Sequence, residues 1–499
     1  MAGTTVTLSA QDKGPGGQVT SPVFVHPLAD QATGNDVLVS FDAPDDPYNP
    51  LNWHFKKKVL TTVLYGLATC WITFASAVYT AALVEISHEF HVSLEVSTLG
   101  ISLFVLGFAV GPMVFSPLSE VYGRKFVVLI PYFISAVFSF GTAAAKDIQT
   151  VLITRFFAGL FGSAPVTVTG GALTDIWLPH QRGNAVVGYS LTLIGGPTIG
   201  PIVGGAFVAS GKGWRWTEYI TGIVMLSQFF INLLLVDESH AESLLVRKAR
   251  RLRYQGNWAL HAKHEEWDVS VKELARKYLV RPFQMMSEPI CLLVSVYGAF
   301  VYGLLYASLC GYEVVYQEIR HWGPVTGNLP FVALFIGMVA AGGVNILNNQ
   351  YYSRRFRANN SRAVPEARLP SMMLGSVVYA GALFLFGWTS SPKINFWPSI
   401  IAVVLTGFGF TTIFQATINY IIDTYTRFAA SGIATATFLR SIFACAFPLF
   451  IRPMYYNIGV AWGTTVFACV AALLIPVPFF FFVYGRRIRA KGEWSQYSV

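Results

Sequence analysis

From residue 59 onward the chain is a succession of apolar runs separated by polar connections. About 20 residues at ~1.5 Å rise cross ~30 Å of hydrocarbon, so each run predicts a membrane-spanning helix. The runs fall at 59–81, 97–118, 126–145, 149–173, 185–209, 217–237, 289–310, 328–347, 371–389, 397–422, 429–451 and 461–484. Twelve spans follow, in an all-α polytopic membrane protein. The Gly, Pro, Ser, Thr and Asp-rich opening has no periodicity and predicts a disordered tail over 1–55. Residues 238–288 divide the spans six and six, so bundles are expected over 56–237 and 289–485, with a closing tail at 486–499. The central loop opens with basic LLVRKARRLR, and VSVKELARKYLVRPF reads as an amphipathic helix on the membrane surface.

An offset of 230 aligns SPLSEVYGRKF, ending at Phe126, with ILNNQYYSRRF, ending at Phe356. Tyr122 then matches Tyr352, Arg124 matches Arg354, Lys125 meets Arg355 and Gly107 meets Gly337. A duplicated six-span unit accounts for this better than chance basic residues at a membrane exit.

Composition and charge sharpen the picture. Hydrophobic residues make up 54% and charged residues 12% of the 499, against about 25% charged in soluble domains. The net charge of +9 is largely topology. With the N-terminus cytosolic, 27 of the 35 Lys and Arg fall on the cytosolic side and six on the other, while Arg155 and Arg440 lie within spans. Both termini are therefore expected in the cytosol, and the sequon Asn359-Asn360-Ser361 unglycosylated. Nucleic acid is not an expected partner. Cys70, Cys291, Cys310, Cys445 and Cys469 have no metal-ligand spacing and read as reduced packing residues. The pairs His88/His91 and His261/His264 read as solvated surface. No phosphate-binding loop, HExxH or GxSxG motif is present, so neither cofactor, metal nor catalytic residue is expected.

Several motifs carry more specific information. The fifth run, AVVGYSLTLIGGPTIGPIVGGAFVA, places Gly196, Gly200 and Gly204 every fourth residue, a smooth strip for a neighbouring helix. With Pro201 and Gly205 it forms G-x-x-x-G-P-x-x-G-G, which resembles the fifth-helix motif of antiporters in the major facilitator superfamily. That motif's upstream glycine would fall at Val187, where this chain instead has Gly188 alongside. The connection GPMVFSPLSEVYGRK resembles the superfamily's signature loop, with Glu120 for its Asp and with Gly123, Arg124 and Lys125 kept, but Val121 for its first Arg. A carboxylate there can pair with basic groups and helix termini and latch one conformation. In the fourth run Arg155 lies inside hydrocarbon, where a charge is costly and faces protein or a water-filled cavity. Its R-x-x-x-G spacing to Gly159 resembles the motif implicated in proton coupling. With DPYNPLNW, WRWTEY, LLVRKARRLR, PEARLP and FPLF, the chain from Asp45 onward is similar to the fungal twelve-span drug:proton antiporter branch. Where that branch has a PETY-type string after the sixth span, this chain reads DESHAES.

The resemblance implies two pseudo-symmetric six-helix bundles rocking about a central site, with protons and a small molecule as exchange partners and lipids around them. A monomer is expected, in the plasma membrane or alternatively a vacuolar or vesicular one. On the helices that line such a site, the candidates for substrate contact are Trp71 and Phe74, Tyr302 and Tyr306, and Gln415 and Asn419, a pair in the first, seventh and tenth spans respectively. Aromatic walls with a few amides suit a bulky apolar ligand. No Asp or Glu is expected deep in a span; Asp175, Glu313 and Asp423 lie near ends, and the proton-carrying acid is not identified. The leading expectation is export of a hydrophobic toxin or metabolite. The rivals are a proton symporter, a polyamine exporter and a non-transporting receptor.

Overall fold

The computed structural model of the protein describes residues 38–496, apart from 44, 256–257, 267–279 and 360–362. Spans 1 to 6 are Phe55–Glu89, Leu94–Tyr122, Arg124–Ala143, Ile148–Ile176, Pro179–Ala209 and Arg215–Leu235. Spans 7 to 10 are Pro289–Ile319, Pro330–Ala358, Leu369–Thr389 and Trp397–Thr424. A last apolar stretch, Ser431–Arg489, is 59 residues long and breaks at Gly459, with φ 80° and ψ 157°. Only glycine adopts that conformation cheaply, so the chain reverses there and spans 11 and 12 follow each other without a loop. Twelve spans result, and the termini share one side, opposite what is called here the far side.

Local chemistry fixes several boundaries. The Asp147 carboxylate accepts from Thr150 N at 2.7 Å and starts span 4. Gly123, at φ 94°, ends span 2 and lets span 3 begin one residue later. The helices mostly overrun their apolar cores, and span 8 continues through polar residues to Ala358 rather than stopping near 347. That overrun corrects the internal repeat. Gly107 packs against Gly159 and Leu160, and Gly337 against Val404 and Phe408; a Cβ on Gly159 would collide with the Phe104 carbonyl, and one on Gly407 with the Leu334 carbonyl. The offset is 230 between Gly107 and Gly337 but 248 between Gly159 and Gly407. Extra residues between spans 8 and 9 account for the change. Arg354 and Arg355 therefore sit on the extended helix, and Arg368 takes the place corresponding to Arg124.

Contacts between the bundles run from midspan to the far side. The Ser76 and Tyr306 hydroxyls meet at 3.0 Å, and Ser102 Oγ donates to Cys445 O at 2.7 Å. One hydrophobic cluster joins C-terminal-bundle residues to Ala77, Tyr79, Leu83, Ile101 and Trp214 of the N-terminal bundle. Towards the termini, Leu64, Tyr65, Phe115, Val128 and Val168 form a cluster whose described members all belong to the N-terminal bundle. The described arrangement is closed on the far side.

The described residues of 38–55, expected within a disordered tail, are ordered against the central loop. Val39 N donates to His261 O at 2.9 Å, and Lys248 pairs with Asp42 at 2.7 Å. The basic string forms the helix Ala241–Tyr254, whose Leu245, Val246 and Leu252 pack with Val39 and Ala262. This side buries itself in protein. Residues 1–37, most of the second loop helix, the sequon beyond Asn359 and residues 497–499 lie outside the described residues.

Replacing Gly159 or Gly407 by Ala should destabilise the protein by about 1–3 kcal/mol through forced separation of helices. Gly381→Ala, with no atom within 4 Å of its Cβ, should be neutral or stabilising. Thermal unfolding in detergent checks all three.

Candidate functional site

Arg155 enters span 4 about 10 Å from its far end, by the ~1.5 Å rise per residue. Its side chain is 1% exposed. A guanidinium keeps its charge, so neighbours must satisfy it. Nη1 donates to Ala75 O at 2.8 Å and to Glu218 Oε1 at 3.1 Å; Nη2 donates to Ser76 O at 3.3 Å and Nε to Gly100 O at 3.2 Å. The rings of Tyr79 and Phe104 each lie 4.5 Å from Cζ. Spans 1, 2, 4 and 6 are thereby tied to one charge.

Glu218 is a buried acid that the sequence reading did not place. The boundary at 217 put it at the membrane edge, but span 6 starts at Arg215 and buries its side chain to 1% exposed. The available signal was a carboxylate beside Thr217 at the head of an apolar run. Its second oxygen, Oε2, is buried without a hydrogen-bond partner. A second buried pair, Arg452 Nη2 to Glu313 Oε2 at 2.6 Å, lies towards the far side of the other bundle.

The glycine strip explains how span 1 comes within Arg155's reach. A Cβ on Gly196 would collide with Thr73 Oγ1 and Cys70 O, one on Gly200 would stand 2.9 Å from Val78 N, and one on Gly204 2.6 Å from Val78 O. Gly205 faces the other bundle: its Cβ would lie 2.6 Å from Pro324 O. Pro201 continues the same helix. The strip thus seats span 5 on residues 70–81, the stretch whose carbonyls hold Arg155.

On the termini's side the signature loop closes around Glu238, which belongs to DESHAES. Glu238 Oε1 accepts from Arg124 N at 2.8 Å and Oε2 from Lys125 N at 3.2 Å, so this carboxylate caps span 3. A Cβ on Gly123 would stand 2.6 Å from Glu238 Oε2. Arg124 Nε donates to Asp175 Oδ2 at 2.8 Å, and Lys125 Nζ to Leu233 O at 3.1 Å. Glu120, expected as the latch carboxylate, is half-buried and also engaged. Burial pushes the neighbouring His240 imidazole below its ordinary value, and the Arg124 charge adds to this. The other bundle repeats the arrangement, with Arg368 Nε 2.8 Å from Asp423 Oδ2.

The candidate ligand contacts divide. Tyr302 and Tyr306 lie 5.3 Å apart between centroids, and Phe414 stacks on Tyr302 at 5.6 Å. Gln415 pairs not with Asn419 but with Asn345 of span 8, whose Nδ2 donates to Gln415 Oε1 at 2.8 Å. Asn419 is half-buried one turn on. Trp71 and Phe74 meet edge to face at 5.6 Å, with the Phe74 backbone against Gly196.

Arg155→Ala should cost about 3–5 kcal/mol, because it strands the Glu218 carboxylate in the interior. The double variant Arg155→Met/Glu218→Met should recover most of that loss. Thermal unfolding of the three purified proteins checks it.

The chain is similar to known proteins. The family profile for the Major Facilitator Superfamily matches residues 65–448. The chain is 58% identical to "Efflux pump bik6" of Gibberella fujikuroi, covering 94% of this chain and 97% of that protein. It is 39% identical to "Major facilitator superfamily multidrug transporter FLU1" of Candida albicans, covering 92% and 76% respectively. In fold it is similar to the proton:xylose symporter XylE, with a TM-score of 0.63 at 13% identity over 86% of this chain and 96% of that one. The chain belongs to the major facilitator superfamily, within its branch of fungal efflux pumps and multidrug transporters.

Proposed function

We propose that this chain is a proton-coupled efflux transporter that carries a hydrophobic small molecule out of the cytosol by alternating access. The relatives named as efflux pump and multidrug transporter support export. The bias of Lys and Arg towards the termini's side supports cytosolic termini, so the closed far side is the outer one. A plasma-membrane location fits that direction.

The observation that carries the coupling is the buried Arg155–Glu218 pair with the unpaired Glu218 Oε2. In the closed-outward arrangement the pair is sealed under the far-side cluster. When the bundles rock, the outer side opens and a proton can reach Oε2. Protonation neutralises Glu218 and leaves Arg155 held by carbonyls and rings alone. Its grip on Ala75 O and Ser76 O then shifts, and Ser76 carries the cross-bundle contact to Tyr306. Proton occupancy on one bundle is thus linked to the aromatic group on the other. On the cytosolic side, Glu238 and Asp175 holding Arg124 stabilise one position of span 3 relative to spans 4 and 6, the role proposed for the signature loop. The Gly196–Gly205 strip keeps spans 1 and 5 in register as the bundle moves.

Glu218→Gln keeps the shape and removes the titratable charge. Reconstituted in vesicles, this variant should still exchange ligand across the membrane without a gradient. It should lose the acceleration that an imposed pH gradient gives the wild type, by tenfold or more. Gradient-driven transport at the wild-type rate would remove Glu218 from the coupling path.

A further inference from the structure

The two arginines deepest in the outer half, Arg155 and Arg452, are each matched to a buried carboxylate. Arg440, near the middle of span 11, is not. Among the described residues it makes no ion pair, and its guanidinium carbon lies over the faces of Tyr302 at 5.2 Å and Phe414 at 5.4 Å. It is half-buried, whereas Tyr302 and Phe414 are 6% and 3% exposed. Span 11 also meets the opposite bundle, where Ser102 Oγ of span 2 donates to Cys445 O at 2.7 Å. A cation at membrane depth is retained where it faces a cavity or a partner. Ring faces offset part of the cost and leave the planar fork of N–H donors available.

We propose that Arg440 is the anchor of the transported molecule, and that the substrate class is an aromatic or otherwise flat organic anion such as a carboxylate or phenolate. This rests on the exporter reading above and deepens it. The guanidinium fork matches a carboxylate with two parallel hydrogen bonds. Tyr302, Phe414 and Phe410, stacked in series with Phe410 5.5 Å from Phe414, make the surroundings of that charge apolar and aromatic. One residue on from Phe414, Gln415 is tied to Asn345 of span 8. Tyr306, beside Tyr302, meets Ser76 of the opposite bundle at 3.0 Å, so the anion would sit at the seam between the bundles. A polyamine would meet an unanswered positive charge here, so polycation export is disfavoured by the same residue.

The test compares two probes of one shape, anthracene-2-carboxylate and anthracene-2-carboxamide, by equilibrium dialysis against the full-length protein in detergent, with protein-free micelles subtracted. Wild type should bind the carboxylate at least tenfold more tightly than the amide. Arg440→Gln should erase that preference while changing amide binding less than twofold, and Arg440→Lys should restore part of it. Equal binding of both probes by wild type, binding of neither, or an equal loss of both in Arg440→Gln overturns the proposal. If Arg440→Gln fails to fold, the wild-type comparison and Arg440→Lys still decide. Vesicle transport of the carboxylate separates the two readings: preference without gradient-driven movement removes the exporter and keeps the anion site, and movement without preference does the reverse.

Discussion

A charge that cannot be neutralised, set inside hydrocarbon, is the constraint from which the N-terminal bundle follows. Arg155 is satisfied only if span 1 brings two carbonyls, span 2 a third, span 6 a carboxylate, and two rings close over the guanidinium faces. None of these groups would suffice alone. Together they fix four helices of the bundle to within hydrogen-bonding tolerance, which apolar packing in lipid does weakly because lipid competes with side chains for the same contacts. The ion pair therefore specifies an arrangement more than it stabilises the bundle.

The glycines serve the same geometry. Carbonyls of residues 75 and 76 can turn towards Arg155 only if the opposite face of span 1 is held, and span 5 holds it at backbone distance. One more position along the strip, Gly205 reaches the other bundle. A run of small residues thus connects the charge site to the surface on which the two bundles meet.

Much of this was legible beforehand. The membrane helices, the glycine strip, the intramembrane position of Arg155 and the Gly107/Gly337 correspondence could be read because each leaves a local mark: an apolar run, a four-residue repeat, an isolated charge, a match at fixed offset. Glu218 was missed because hydropathy places a boundary where polar residues begin, while the helix begins at Arg215. Arg368 was missed because extra residues after span 8 shift the repeat, and the nearer match, Arg354, also sits at a basic exit. The contact of Gln415 with Asn345 was not legible, for a different reason. Spacing along one helix nominates neighbours on that helix, whereas Asn345 arrives from another span. The role of DESHAES in capping span 3 is likewise tertiary, since Glu238 lies more than a hundred residues from the backbone it caps.

The ordered segment beginning at Leu38 has a mechanical consequence. By pairing with His261 and Asp42–Lys248, it fastens the first part of the central loop to the entrance of span 1, and His264 reaches Val121 O at 3.3 Å. The described loop residues as far as Glu266 therefore ride with the N-terminal bundle as ballast, not as slack between two moving bodies. The effective tether across the rocking joint is shorter than the loop that separates the sixth and seventh spans, because its other end is held by the C-terminal bundle, where Thr435 Oγ1 donates to Pro282 O at 2.7 Å.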